Sequence, residues 1–293
     1  MMDYNKLFAQ ANSVVLQGPM GVGKSTVAEE LSKQTNLPHV WLDTLRECPR
    51  DVEKIEDDMK DIEEQIANIE KTGRGSSSAM EMLAFYKSLL WLHENYLSQR
   101  KLFPNLPNYF DFGFEHEIST TLNNCYGPVA WHMYHKQFEN RLLEEITNQI
   151  DFPCILDLGG GMATSPTAAY NKERIKILNS GNHYFAEWRM GAIFDYKKMD
   201  FGVIEKSLKP FKQVVTLKSD NCFSKGAACD KLNEVFVATG DFDKTATMSV
   251  DANGLFPDKH TTNKDKLNQI VAQILSNRRE LAKVSNEEME MAR

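Results

Sequence analysis

Ser13-Val14-Val15-Leu16-Gln17-Gly18-Pro19-Met20-Gly21-Val22-Gly23-Lys24-Ser25-Thr26 is the stretch whose reading decides the fold. Val14 to Leu16 is an apolar run of strand length, and Thr26 to Lys33 has helix-forming composition. Between them Gly18 to Ser25 fits GxxxxGK[ST]. A strand, a glycine-rich loop and a helix in immediate succession are the context that makes this pattern a phosphate-binding loop. Glycines let backbone N–H groups turn toward phosphate oxygens, and the helix N-terminus adds positive partial charge. The loop predicts a nucleotide site made of Gly18, Met20, Gly21, Val22, Gly23, Lys24, Ser25 and Thr26. Lys24 is placed to reach the outer phosphates and Ser25 to put its hydroxyl on a magnesium ion.

The 293 residues suffice for one large domain or two small ones, with 42% hydrophobic and 26% charged residues. A net charge of −7 argues against a broad nucleic-acid-binding face but leaves room for a local basic cleft. Cys48, Cys125, Cys154, Cys222 and Cys229 make no CxxC pair and read as reduced thiols of a cytosolic protein. The opening MMDYNKLFAQANS has no secretory pattern, and no apolar run approaches membrane-spanning length. The expectation is a cytoplasmic protein with neither a membrane nor a nucleic-acid partner.

Outward from the loop, Val27, Ala28 and Leu31 recur at helical spacing until Asn36 to Pro38, and His39 to Asp43 reads as a second strand ending on an acid. From Asp51 the texture changes. Val52, Ile55, Met59, Ile62, Ile66 and Ile69 alternate spacings of three and four, which makes one apolar stripe on a helix. Gly73 to Ser78 is a flexible break before a second helical segment, Met80 to Leu102. The two predict a helical hairpin, acting as a dimerisation arm, a protein-partner surface or a lid, or simply packed on its own body. Phe103 to Tyr126 is expected to be irregular. Asp111, Glu115, His116 and Glu117, followed by His132 and His135, suggest metal ligands, but no cysteine or third histidine has matching spacing, so a solvated acidic loop with packed histidines is favoured. The core is thus expected in 1–50 and 128–293, with 51–127 inserted.

Val129 to Gln149 predicts a helix, and Ile150 to Asp157 a strand that closes on a carboxylate directly before Leu158-Gly159-Gly160-Gly161. An apolar strand ending in Asp is a common magnesium-holding device in phosphate-loop proteins, and consecutive glycines let a ligand approach backbone amides. Val214 to Leu217 and Thr247 to Asp251 read as further strands, and Leu267 to Leu275 as a closing helix. Alternating strands and helices predict an α/β parallel sheet covered on both faces, with ligands beyond the carboxyl ends of the strands. Gly18–Thr26, Asp43, Asp157 and Gly159–Gly161 all fall at such ends.

With these residues in hand, the chain resembles the shikimate kinase family, as a divergent member with large insertions. GPMGVGKST is similar to that family's phosphate loop, Leu37 to Asp43 to its second strand, Phe138 to Ile146 to its Phe-Arg helix, and Leu156 to Gly161 to its strand with triple glycine. ATMSVDANG followed by a helix is similar to its last strand and helix. The resemblance covers about 10–50, 128–175 and 210–276. It implies a P-loop NTPase-type parallel sheet of five strands and transfer of the γ-phosphoryl of ATP, with Mg2+, to a hydroxyl. Asp43 would orient or deprotonate the acceptor, and Gly159, Gly160 and Gly161 would line its pocket.

The departures concern the acceptor. The family's first acid is matched by Trp41, its substrate-binding arginine by Glu139, and Lys218 to Val250 holds no arginine. A carboxylate is best held by a bidentate guanidinium, so an acceptor other than shikimate is expected. Asp157 is the candidate for the magnesium role lost at Trp41, the alternative being a structural Asp. Arg141 and Arg189 are the candidates for the missing positive charge. The catalytic set is then Lys24, Asp43 and Asp157, with Asp43, Glu139 and Arg141 beside the glycine triplet for the acceptor and Ser25 and Asp157 for the metal. Two other functional classes fit the same residues. One is a nucleotide-binding regulator or pseudokinase, and the other a phosphoryl or nucleotidyl transferase acting on a macromolecule.

Overall fold

The computed structural model describes residues 4–48, 51–72, 77–107, 114–180, 199–220, 222–223, 226–258 and 261–291, with the backbone alone for 114–117, 119 and 282–291. They form two compact units, Met1–Leu42 with Asp111–Arg293, and Asp43–Phe110.

The larger unit is organised by β1 (Val14–Gln17), in which all four residues are buried. It lies between β3 (Ile155–Asp157) and β4 (Gln213–Lys218), with β2 (His39–Trp41) and β5 (Met248–Asp251) at the edges, in the order β2-β3-β1-β4-β5. Every pairing is parallel. A central parallel strand is covered on both faces, so β1 is a continuous apolar run instead of an alternating one. The five-stranded parallel α/β sheet is therefore as expected. Its register sets Leu16 against Asp157 on one side and Val215 on the other, and Trp41 against Asp157 from β2.

One face of the sheet is covered by α2 (Lys24–Thr35) and α12 (Lys264–Met291), whose Val27, Leu31, Ile270 and Ile274 pack on Val14, Leu16, Ile155 and Val215. Asn36 ends α2 at φ 57, and its N–H bonds Ser32 O at 2.8 Å. Elsewhere in this unit lie α1 (Tyr4–Ala11), α6 (Phe114–Tyr126), α7 (Pro128–Gln149), α8 (Thr167–Asn179), α9 (Phe201–Leu208), α10 (Ala227–Thr239) and α11 (Asp241–Thr245). Pro128 is the first residue of α7, where its missing N–H costs nothing.

Helix α6 corrects the expectation of irregular chain up to Tyr126. Ile118, Leu122 and Tyr126 repeat every fourth residue and pack on Met133 and Tyr134 of α7 and Tyr170 of α8. Burial of that stripe outweighs the polar residues between. The inserted unit consequently begins and ends earlier than 51–127. Leu42 and Asp43, expected in the second strand, open a short helix α3 (Leu42–Glu47).

The smaller unit contains α4 (Val52–Thr72) and α5 (Ser77–Leu102), the expected hairpin; most of the Gly73–Ser78 break lies outside the described residues. Ile55, Cys48 and Tyr96 form its core with Met59, Leu92 and Leu97. Arg100 is buried there, donating to Leu106 O at 2.6 Å and Cys48 O at 3.1 Å. Each unit hides one thiol. Burial pushes Cys48 upward in the smaller unit and Cys154, beside Ser13 in the larger, up to about 12. Among the described residues no helix is long and apolar enough to cross a membrane.

Candidate functional site

Gly18 leaves β1 at φ 144, where a Cβ would lie 2.5 Å from Leu217 O, so the turn needs a residue without a side chain. Gly21 and Gly23 also have positive φ, and α2 then starts at Lys24. The Lys24 side chain folds back inside the loop, with Nζ donating to Gly18 O at 3.0 Å and Pro19 O at 2.9 Å, and the residue is 7% exposed. Ser25 is half-buried on the first turn of α2. The loop thus has the strand–turn–helix setting of an anion cradle at the carboxyl end of the central strand.

The glycine triplet joins it. Leu158 N bonds Leu16 O at 3.0 Å, which carries the parallel pairing past the strand end. Gly160 faces Met20 so closely that a Cβ would overlap Met20 Cγ. Both loops are clasped by α10. Asn233 accepts from Met20 N at 2.8 Å and donates to Met20 O at 2.9 Å, while Phe236 lies against Gly161. Neither residue was a candidate from sequence, because their role comes from a helix that lies far from the loops along the chain.

Asp157, 1% exposed, ends β3 beside Leu16. Its Oδ2 makes no hydrogen bond among the described residues, and His39 Nε2 lies 3.6 Å away. The ring of His39 is itself stacked with Trp41 at 6.0 Å. A buried carboxylate oxygen held only at that distance is an acceptor that a cation would satisfy. Mg2+ binds through one or two protein oxygens and keeps its other positions for phosphate and water. Asp157 and the Ser25 hydroxyl fit that donor set.

Beneath the glycine triplet lies a buried polar cluster built on α7. Lys136, fully buried, donates to Gly161 O at 3.3 Å and to Met162 O. Its Nζ is 4.0 Å from Glu139, and His132 joins them, with Nε2 3.6 Å from Glu139 and Nδ1 2.7 Å from Tyr170 Oη. Desolvation lowers the Lys136 pKa to about 8, opposed by the charges of Glu139 and Asp241. Burial, reinforced by Glu139 and Asp241, drives the Tyr170 hydroxyl well above its ordinary value. Lys136 and Glu139 stand one helical turn apart, the only sequence sign of the pair, and a solvated surface pair would look the same.

The remaining candidates are distributed as follows. Glu139, 2% exposed, faces Lys136 and His132, so its charge is met inside the protein and not presented to an acceptor. Arg141 is on the exposed side of α7, and Arg189 lies outside the described residues. Asp43 belongs to the smaller unit and lies 3.6 Å from Arg46. Of the metal candidates in the acidic segment, Asp111 and the side chains of Glu115, His116 and Glu117 lie outside the described residues. His132 bonds Tyr170 and His135 packs on Trp131 at 4.4 Å. Among the described residues no group of three His, Cys, Asp or Glu could hold a metal ion.

Beside the phosphate loop, at the carboxyl ends of β4 and β5, is a cavity of about 250 Å³. Pro19, Leu217 and Val237 give it an apolar side, and Asp220, Asp251 and Asn253 a polar one. Asn253 receives the Asp220 N–H at 2.9 Å and donates to the Asp220 carboxylate at 3.2 Å, so this polar side is organised. Comparison of the chain with protein-family models, with characterised proteins and with solved structures finds no match.

Proposed function

We propose that the protein is an ATP- and Mg2+-dependent kinase of shikimate-kinase type, transferring the γ-phosphoryl group to a hydroxyl of a small molecule other than shikimate. The observation that carries this reading is the meeting of three devices at adjoining strand ends: the Gly18–Thr26 loop, the buried Asp157 carboxylate and the Gly159–Gly161 turn. Lys24 would leave Gly18 O and Pro19 O for the outer phosphates, while the loop amides hold their oxygens. Ser25 and Asp157 would hold magnesium, which supplies neutralisation of phosphate charge. The cavity bordered by Pro19, Leu217 and Asn253 would take the nucleoside end. The bond from the γ-phosphorus to its bridging oxygen breaks, a bond to the acceptor oxygen forms, and the hydroxyl proton leaves to a base.

The test is ATP binding by calorimetry together with ADP release against a panel of hydroxylated acids, sugars and nucleosides. Lys24→Ala is expected to abolish both, and turnover that survives it overturns the reading.

A second reading, nucleotide binding without turnover, has its own support. No arginine occurs between Lys218 and Val250, although arginines commonly stabilise charge in phosphoryl transfer. Tight ATP binding with no ADP release for any acceptor would favour it.

A further inference from the structure

Near the amino-terminal ends of β4 and β5 is a cavity of about 530 Å³, well inside the range of small-molecule sites. Val214, Leu208 and Phe211 form its apolar floor. Three lysines stand around it, Lys206 from α9, Lys209 just after that helix and Lys244 from α11; Glu205 is the carboxylate of its lining, and Glu144 and Asp241 lie behind Lys206 and Lys244.

Among the described residues, two of the lysines have carboxylate partners and one does not. Lys206 lies 3.6 Å from Glu144 and is largely exposed. Lys209 has no carboxylate within ion-pair distance among the described residues. Lys244 bonds Asp241 Oδ1 at 2.6 Å and sits 5.0 Å from the centre of the Phe201 ring.

What separates this cavity from an ordinary surface hollow is the wiring of α11. Lys244 and Thr245 both line it. The Thr245 hydroxyl donates to Gln17 Oε1 at 3.0 Å, and Gln17 Nε2 donates to Phe242 O at 2.8 Å. Gln17 is the last residue of β1, directly before Gly18. The partner of Lys244, Asp241, is 2% exposed and accepts Ser165 N at 2.8 Å, just past the glycine triplet. An anion that draws Lys244 away from Asp241 therefore acts on a five-residue helix bonded to Gln17, which precedes the phosphate loop, and to Ser165, which follows the glycine triplet.

We propose that this cavity is a second binding site, for a small molecule carrying phosphate-type anionic oxygens, and that α11 transmits its occupancy to the residue preceding the phosphate loop. The inference does not depend on the kinase reading, since it is tested with the phosphate loop disabled. The probe is inorganic pyrophosphate, added to Lys24→Ala protein and followed by calorimetry and hydrogen exchange. Binding is expected, with altered exchange over 201–211 and 241–248, and Lys206→Glu with Lys209→Glu should weaken it more than about tenfold, as two reversed charges near an anion require. Both lysines are exposed, so the double variant should fold. Absence of binding to Lys24→Ala, or binding that the charge reversals leave unchanged, overturns the site. Exchange over 14–19 should also respond to pyrophosphate, and Thr245→Val should remove that response while pyrophosphate still binds. An undiminished response in Thr245→Val overturns the transmission.

Discussion

At the scale of single residues, the candidate site depends on close approaches that one methyl group breaks. Gly160→Ala would drive a Cβ into Met20, and Met20 is also fixed by Asn233, so it has little room to yield. The expected cost is about 1–3 kcal/mol, read by chemical denaturation, with nucleotide affinity falling at the same time. Asp157→Asn keeps the shape but removes the charge. It should raise the magnesium concentration needed for ATP binding by about tenfold or more, while leaving stability within about 1 kcal/mol.

Lys136 gives a prediction in pH. Its folded pKa, about 8, lies below the value of 10.5 for an exposed lysine, so between those limits the unfolded chain holds more protons. Stability attributable to this group must then rise with pH from about 8 to 10.5, by at most about 3 kcal/mol. Thermal unfolding of the wild type against Lys136→Met with Glu139→Gln checks it, because the double variant removes the pair without leaving a lone buried charge. A difference that is flat or falling across the window would contradict the assignment. The glycines of the phosphate loop were legible in the sequence because positive φ at Gly18, Gly21 and Gly23 demands their identity locally, and Asp157 was legible as the acid that ends an apolar run. Lys136 as the support of the glycine triplet was not, because an i,i+3 Lys–Glu pair has the same pattern whether buried or solvated.

At the scale of elements, α10 has the most consequence for the site. One side chain clamps Met20 through both N–H and C=O, and another packs on Gly161. Asn233→Ala should cost about 1–2 kcal/mol and speed hydrogen exchange over 18–23, while Asn233→Asp, which keeps an acceptor for Met20 N but cannot donate to Met20 O, should fall between. The strands were readable from short apolar runs followed by glycine or an acid. Helices α8, α9 and α10 were not, since their burial is supplied by neighbours remote in sequence. Helix α6 shows the same lesson in the open: Ile118 and Leu122 were visible, but only α7 gives that stripe something to cover.

At the scale of the whole molecule, the chain divides into a sheet-bearing unit and a helical one, each with its own core. The sheet order, all parallel with β1 central, follows from an apolar strand that needs partners on both sides. The limits of the helical unit did not follow, because the change of texture at Asp51 marks where a long helix begins and not where packing changes hands. Arg100 tests the integrity of that unit. Arg100→Ala leaves Leu106 O and Cys48 O without their donor inside a core, with an expected loss of about 2–4 kcal/mol confined to the smaller unit. Guanidine unfolding should then resolve two transitions, the first shifted and the second unmoved.

The burial of one thiol in each unit makes the protein its own clock. Cys125 is exposed and should react with a thiol reagent within the mixing time of an ordinary assay. Cys48 and Cys154 are shielded, and burial holds both in the unreactive protonated form. Their modification waits for an opening event, Cys48 for the helical unit and Cys154 for the sheet. Mass spectrometry of the labelled chain over time therefore reads two opening rates from one sample. If nucleotide occupies the loop on β1, the clock at Cys154 should slow and the one at Cys48 should keep its pace.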